Sequence, residues 1–148
     1  MSNPNAVTFD ITCMVRDTCL CLHLQRAARA TARRFDAAFR PLDLTNGQFS
    51  LLMSLNRPDP ANMRGVANLL AMDRTTLTAA LKPLERRGLV VVTVDPNDRR
   101  GRLLTLTPGG RRLLAKATPI WQREHAAVDA LLGEPGPDRL RADLRTLS

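Results

Sequence analysis

Hydrophobic and polar positions recur with a helical period over most of this chain. Between residues 15 and 39 an Ala- and Arg-rich run sets Leu20, Leu24, Ala27, Ala28, Phe35 and Ala38 mainly three or four positions apart, which predicts one long amphipathic helix. The segment CLCLHL also alternates as a strand would, but its uninterrupted Ala-rich continuation favours helix, and Pro41 ends it. Thr45 with Gln48 three residues later has capping-box spacing, and FSLLMSL is apolar enough for a short buried helix ending before Pro58. A third short helix is expected after Asn62, with Val66, Leu69 and Leu70 turned inward. Asp73 then caps a helix in which Leu77, Leu81 and Leu84 share one stripe, and Gly88 supplies the stop.

At this point the period changes. VVVTV, residues 90–94, reads as a strand, DPNDRRG as a loop, and RLLTLT, residues 102–107, as the returning strand of a hairpin. Thr107 and Pro108 open a further helix whose stripe runs through Leu114, Ala117, Trp121, Val128 and Leu132 to a stop near Gly133, with Pro119 expected to kink it. A last short helix after Pro137 carries Leu140, Leu144 and Leu147, an apolar stripe that needs a partner surface. Two short helices joined by LLAMD and followed at once by a basic-tipped hairpin are the parts of a winged helix-turn-helix. The expected fold class is therefore mainly α with a small β-hairpin wing.

Charge sharpens this picture. Lys and Arg outnumber Asp and Glu by 22 to 14 in 148 residues, a net charge of +8 that favours a polyanionic partner. Aromatic content is only 3% with no Tyr, so stacking platforms for single strands are scarce and a duplex is the better match. No stretch approaches the roughly 20 apolar residues that span a bilayer, and the N-terminus lacks a basic segment followed by a long apolar run. A soluble cytoplasmic protein without a membrane partner is expected.

The helix after Asp73 would bury its leucines and turn Arg74, Thr75, Thr78, Ala79 and Lys82 outward, with Thr76 counted among the DNA-facing residues. These types read a major groove: Arg binds guanine edges, Thr meets bases, phosphates or a thymine methyl, and Lys neutralises phosphate. The hairpin tip adds Arg99, Arg100 and Arg102 beside Asp95 and Asp98, a mixture suited to an arm reaching a minor groove, with Asp98 orienting a neighbouring arginine.

Other chemistry is sparse. Cys13, Cys19 and Cys21 crowd into one stretch and read as reduced thiols; on a helix, residues two apart point to opposite sides, so with His23 they make a poor metal cluster. No metal site and no cofactor are expected. Neither a nucleophile elbow nor a phosphate-cradling glycine loop occurs, since Gly109 and Gly110 lack the rest of any nucleotide fingerprint, and an enzyme is not expected.

The segments MDRTTLTAALKPLERRGLV and DPNDRRGRLLTLTPGG, together with LTNGQFSLLMSL, resemble the MarR family of bacterial regulators from about residue 17 onward. They match the family's recognition helix, its Arg-Gly-Leu step into the first wing strand, its Asp/Arg wing and the Leu-Thr-x-x-Gly opening of the next helix. The resemblance implies a dimer held by terminal helices, with Arg100 entering a minor groove and Asp98 bracing it. More narrowly, LCLHLQRAARATARRF resembles the first helix of the family's organic-hydroperoxide-sensing branch, which implies an oxidisable thiol at Cys21. Where that branch carries supporting tyrosines, this chain has Gln25 and Phe35.

The resulting expectation is a single domain over residues 1–148, with a DNA-binding lobe at 45–107 between dimerisation helices at 15–40 and 108–148. As a homodimer it would bind a pseudo-palindromic duplex operator and act as a repressor released by a small-molecule effector, whose pocket His23, Phe49, Met53 and Trp121 would line. Thiol control through Cys21 stays open beside it, as does a basic module that contacts protein or RNA without reading sequence.

Overall fold

A computed structural model describes residues 6–148. The chain divides into two compact units, Met1–Arg34 and Phe35–Ser148.

In the N-terminal unit the single helix expected from residue 15 is instead two, α1 (Phe9–Thr18) and α2 (Leu20–Phe39), the latter crossing into the second unit. Thr8 caps α1 by accepting the Ile11 N–H. The break falls at Cys19, which is extended at φ −67° and ψ 109°. Its N–H closes α1 on the Val15 carbonyl at 2.9 Å, and its thiol accepts the Leu22 N–H at 3.5 Å, as a serine N-cap would. Its carbonyl also accepts from Nδ1 of His23 at 2.8 Å. One residue thus ends a helix and starts the next. No residue of α1 is buried.

The second unit is built round Phe35 and Phe39, followed by a 3-10 turn at Arg40–Leu42 and a left-handed Asp43. The capping box forms: Thr45 Oγ1 accepts the Gln48 N–H while Gln48 Oε1 accepts that of Thr45, opening α3 (Asn46–Ser54). A two-residue strand, β1 (Ala61–Asn62), leads into α4 (Met63–Leu69), which Asn62 caps through the Gly65 N–H at 2.7 Å. Leu69, expected inside, is 71% exposed, because this short helix buries Met63, Val66 and Ala67 instead. After the left-handed Ala71, Asp73 caps α5 (Arg74–Arg86). Pro83 lies inside α5 without ending it.

Strands β2 (Val90–Asp95) and β3 (Asp98–Leu106) form the hairpin, and the sheet order is β1-β3-β2 with every pairing antiparallel. The loop expected over residues 95–101 shrinks to Pro96 and Asn97, since Asp98 to Gly101 already belong to β3. Helix α6 (Pro108–Ala130) keeps Pro119 in its interior and ends before Gly133; α7 (Pro137–Thr146) closes the chain.

The start of α6 shows why Leu-Thr-x-x-Gly is needed. Thr107 Oγ1 accepts the Gly110 N–H at 3.0 Å and donates to the Gly88 carbonyl at 2.6 Å, joining helix cap to strand start. A Cβ on Gly110 would run into the Leu89 carbonyl oxygen. The core gathers Leu52, Leu77, Leu84, Leu104 and Ala117, all fully buried, each leucine contributing about 1.5–3 kcal/mol by leaving water. That core fixes which face of α5 points out.

Candidate nucleic-acid interface

Helix α5 is a clean two-faced element. Leu77, Leu81 and Leu84 are buried, while Arg74, Thr75, Thr78, Ala79 and Lys82 line a shallow groove of about 360 Å³ on the opposite side. The cap at Asp73 accepts the Thr76 N–H at 2.7 Å, and this bond, helped by the Thr76 hydroxyl, holds the Asp73 carboxyl below the usual carboxylate range. Thr76 is thereby drawn to the cap and does not line the groove. Thr78 Oγ1 donates to the Arg74 carbonyl at 2.8 Å, so towards a ligand it offers lone pairs and a methyl rather than its proton.

At the wing tip Asp95 accepts the Asn97 N–H at 2.9 Å, which tightens the two-residue turn. Register then slips: Val94 pairs with Arg102 and Asp95 with Asp98, leaving Arg99, Arg100 and Gly101 bulged out of the β2–β3 ladder. Asp98, expected to orient a neighbouring arginine, meets Arg100 at the backbone, its Oδ1 accepting the Arg100 N–H at 3.0 Å; among the described residues nothing bonds the Arg100 guanidinium. The Arg102 guanidinium turns back onto the carbonyls of Arg99 and Gly101, at 3.1 and 3.0 Å. Arg74 reaches from α5 to the Arg100 carbonyl at 2.7 Å. Among the described residues, the guanidiniums of Arg99 and Arg100 make no hydrogen bond or ion pair.

Between wing and helices lies a cleft of about 690 Å³, walled by Arg64 and Asn68 of α4 as well as by Arg74, Asp98, Arg100 and Arg102. Arg64 and Asn68 escaped the sequence reading, whose α4 stripe attended only to apolar positions. An exposed arginine two residues after the Asn62 cap was the available signal.

The residues expected to hold an effector are divided. Phe49, Met53 and Trp121 line a hollow of about 540 Å³ with Ser50, Ser54 and Leu69, whereas His23 belongs to the N-terminal unit and bonds Cys19. His125 stacks on Trp121 instead, ring centroids 4.5 Å apart, at the end of a series that runs Phe39, Phe49, Trp121. Cys21 is exposed, and Gln25 Nε2 donates to its sulfur at 3.3 Å. Among the described residues, no group of three or more His, Cys, Asp or Glu side chains is arranged to hold a metal, and no helix is long and apolar enough to cross a membrane.

Fold and site together define a winged helix-turn-helix with an arginine-tipped wing. The chain belongs to the MarR family, whose family model matches residues 44–101. It superposes on the DNA-bound transcriptional regulator MosR of M. tuberculosis with a TM-score of 0.79 and 38% identity, covering 87% of this chain and 92% of that one. The transcriptional repressor CouR bound to a 23-mer DNA duplex gives 0.78 and 34%, covering 90% and 94%. Among curated proteins, the organic hydroperoxide resistance transcriptional regulator of Bacillus subtilis is 29% identical over 68% of this chain and 69% of its own length. Aligned stretches span from 42% to 69% of the curated relatives' lengths. These relatives are transcriptional regulators.

Proposed function

We propose that this protein is a sequence-specific, duplex-binding transcription regulator of the cytoplasm. It has no catalytic role, and it works as a homodimeric repressor released by a small ligand. The observation that carries the reading is the pairing of two surfaces on one core. The leucine face of α5 is buried, so Thr75, Thr78, Ala79 and Lys82 must face out, beside a wing whose Arg99 and Arg100 guanidiniums have no partner among the described residues. DNA-bound MosR and CouR, superposing over about nine-tenths of this chain, support it.

A ligand-released repressor is supported by CouR, which is also known bound to p-coumaroyl-CoA and is 32% identical in that structure, and by the apolar hollow at Phe49, Met53 and Trp121. Homodimerisation is supported by leucines left in water on α7 and by the unburied α1. The test is affinity for a site selected from random duplexes against unselected duplex, measured across salt concentrations. A preference that survives added salt is expected; equal affinity for both would return the chain to a basic module without sequence readout.

A second reading, thiol control through Cys21, is favoured by the Gln25 contact. The Gln25 amide donates to this sulfur at 3.3 Å, and Gln25 stands where the peroxide-sensing branch has a tyrosine. Operator affinity before and after stoichiometric organic hydroperoxide, repeated with Cys21→Ser, decides it. Loss in wild type alone, reversed by dithiol, is the expected signature; indifference of both proteins leaves the ligand as the signal.

A further inference from the structure

We infer that Arg74 and Arg102 are positioning residues for the wing rather than readers of DNA, and that they set the bulge from which Arg99 and Arg100 project. The inference rests on the reading of this region as a duplex-binding surface, and it divides the four arginines between two tasks.

Three residues of the wing stand outside the strand register. Arg99, Arg100 and Gly101 face no β2 residue in register, and β1 reaches only Leu103 and Leu104. Unpaired peptide groups next to an interface are costly when water leaves on binding. Here side chains meet peptide groups of all three residues. The carbonyls of Arg99 and Gly101 accept from Arg102 Nη1, that of Arg100 accepts from Arg74 Nη2, and the Arg100 N–H donates to Asp98 Oδ1. Three consecutive carbonyls are thus held by two guanidiniums.

A guanidinium terminal nitrogen carries two N–H donors, so Nη1 of Arg102 holds two carbonyls at once. Arg74 is the only tie of the four that comes from outside the hairpin, 26 residues away at the first turn of α5. It therefore fixes the bulge relative to the recognition helix, and with it the offset between a major-groove contact and the minor-groove contact of Arg100. Gly101 fits the same arrangement, because a Cβ there would crowd Asp95 and Asp98 at 3.2 Å. With their fellows turned inward, Arg99 and Arg100 keep their guanidiniums for phosphate and groove.

The experiment is a double-mutant cycle on the selected operator combined with amide exchange in the free protein. Arg74→Ala is expected to weaken binding about tenfold, the size of one charge-assisted hydrogen bond, but less than about threefold in an Arg100→Ala background, because the clasp acts through Arg100. Base preference across a randomised site stays that of wild type, and Arg74→Lys, keeping charge and a donor, recovers most of the loss. In the free protein, exchange of the Arg100 amide, which donates to Asp98, rises about tenfold in Arg74→Ala and in Arg102→Ala. Additive losses, a changed base preference for Arg74→Ala, or exchange at the wild-type rate would each overturn the assignment. If wild type prefers no duplex sequence while exchange still rises, the functional reading fails and the clasp stands.

Discussion

Helix α5 and the C-terminal helix α7 are both short and amphipathic, yet they end in opposite conditions. The leucines of α5 are 0–1% exposed, whereas Leu140 and Leu144 of α7 and Leu147, its C-cap, are 42%, 37% and 60% exposed. One stripe found its partner within the chain, and the other did not. A stripe satisfied at home fixes the helix's opposite face as a working surface; a stripe left in water makes the helix itself the surface to be covered. The same lesson separates the polar ends: α7 ties Arg139 and Arg141 to acids, Arg141 bonding Asp138 at 2.7 Å and Asp129 at 3.2 Å, while among the described residues the Arg99 and Arg100 guanidiniums on the wing make no ion pair.

The comparison breaks first at α7. Deleting residues 137–148 is expected to abolish the dimer, since three leucines that would each contribute about 1.5–3 kcal/mol on burial are gone. A truncated chain that still sediments as a soluble dimer would place the interface elsewhere. Within α5, Leu81→Ala should cost about 2–5 kcal/mol in denaturant unfolding. By contrast Leu144→Ala should change stability mainly through its dependence on protein concentration, and equal, concentration-independent losses for both would erase the distinction. On the wing, Arg100→Ala should lower operator affinity by about 10- to 100-fold with unfolding unchanged; binding within twofold of wild type would remove it from the interface. The smallest effect is expected at the joint between strand and helix, where Thr107→Ala should cost about 1–2 kcal/mol by losing a cap. A melting curve like that of wild type would show that the bond to Gly88 carries nothing.

Local chemistry was the legible part. Caps at Thr45, Asp73 and Thr107, the stop at Gly88 and the α5 stripe each depend on residues within a few positions of one another. The break at Cys19 was hidden because its Ala-rich continuation favours helix on both sides, and a thiol accepting the Leu22 N–H is not a usual capping signal. β1 was invisible for another reason: two residues carry no period, and Ala61 becomes strand only through pairing with Leu104, 43 positions on. The polar run from Asp98 to Gly101 looked like loop because a bulged strand keeps charged residues and loses alternation. For the site, the outward face of α5 could be listed from helical spacing, but not which hydroxyls were already engaged. Thr76 turned to the Asp73 cap and Thr78 to the Arg74 carbonyl, and neither choice is written in residue type.

Footprinting on the selected operator tests the central claim most directly. Two copies of α5 related by two-fold symmetry should protect two major-groove half-sites about 34 Å, one helical turn, apart, with flanking minor-groove protection that disappears in Arg100→Ala while the major-groove protection weakens but stays in place. A single protected half-site, or uniform protection with no sequence register, would contradict a symmetric reader whose helix and wing take separate grooves.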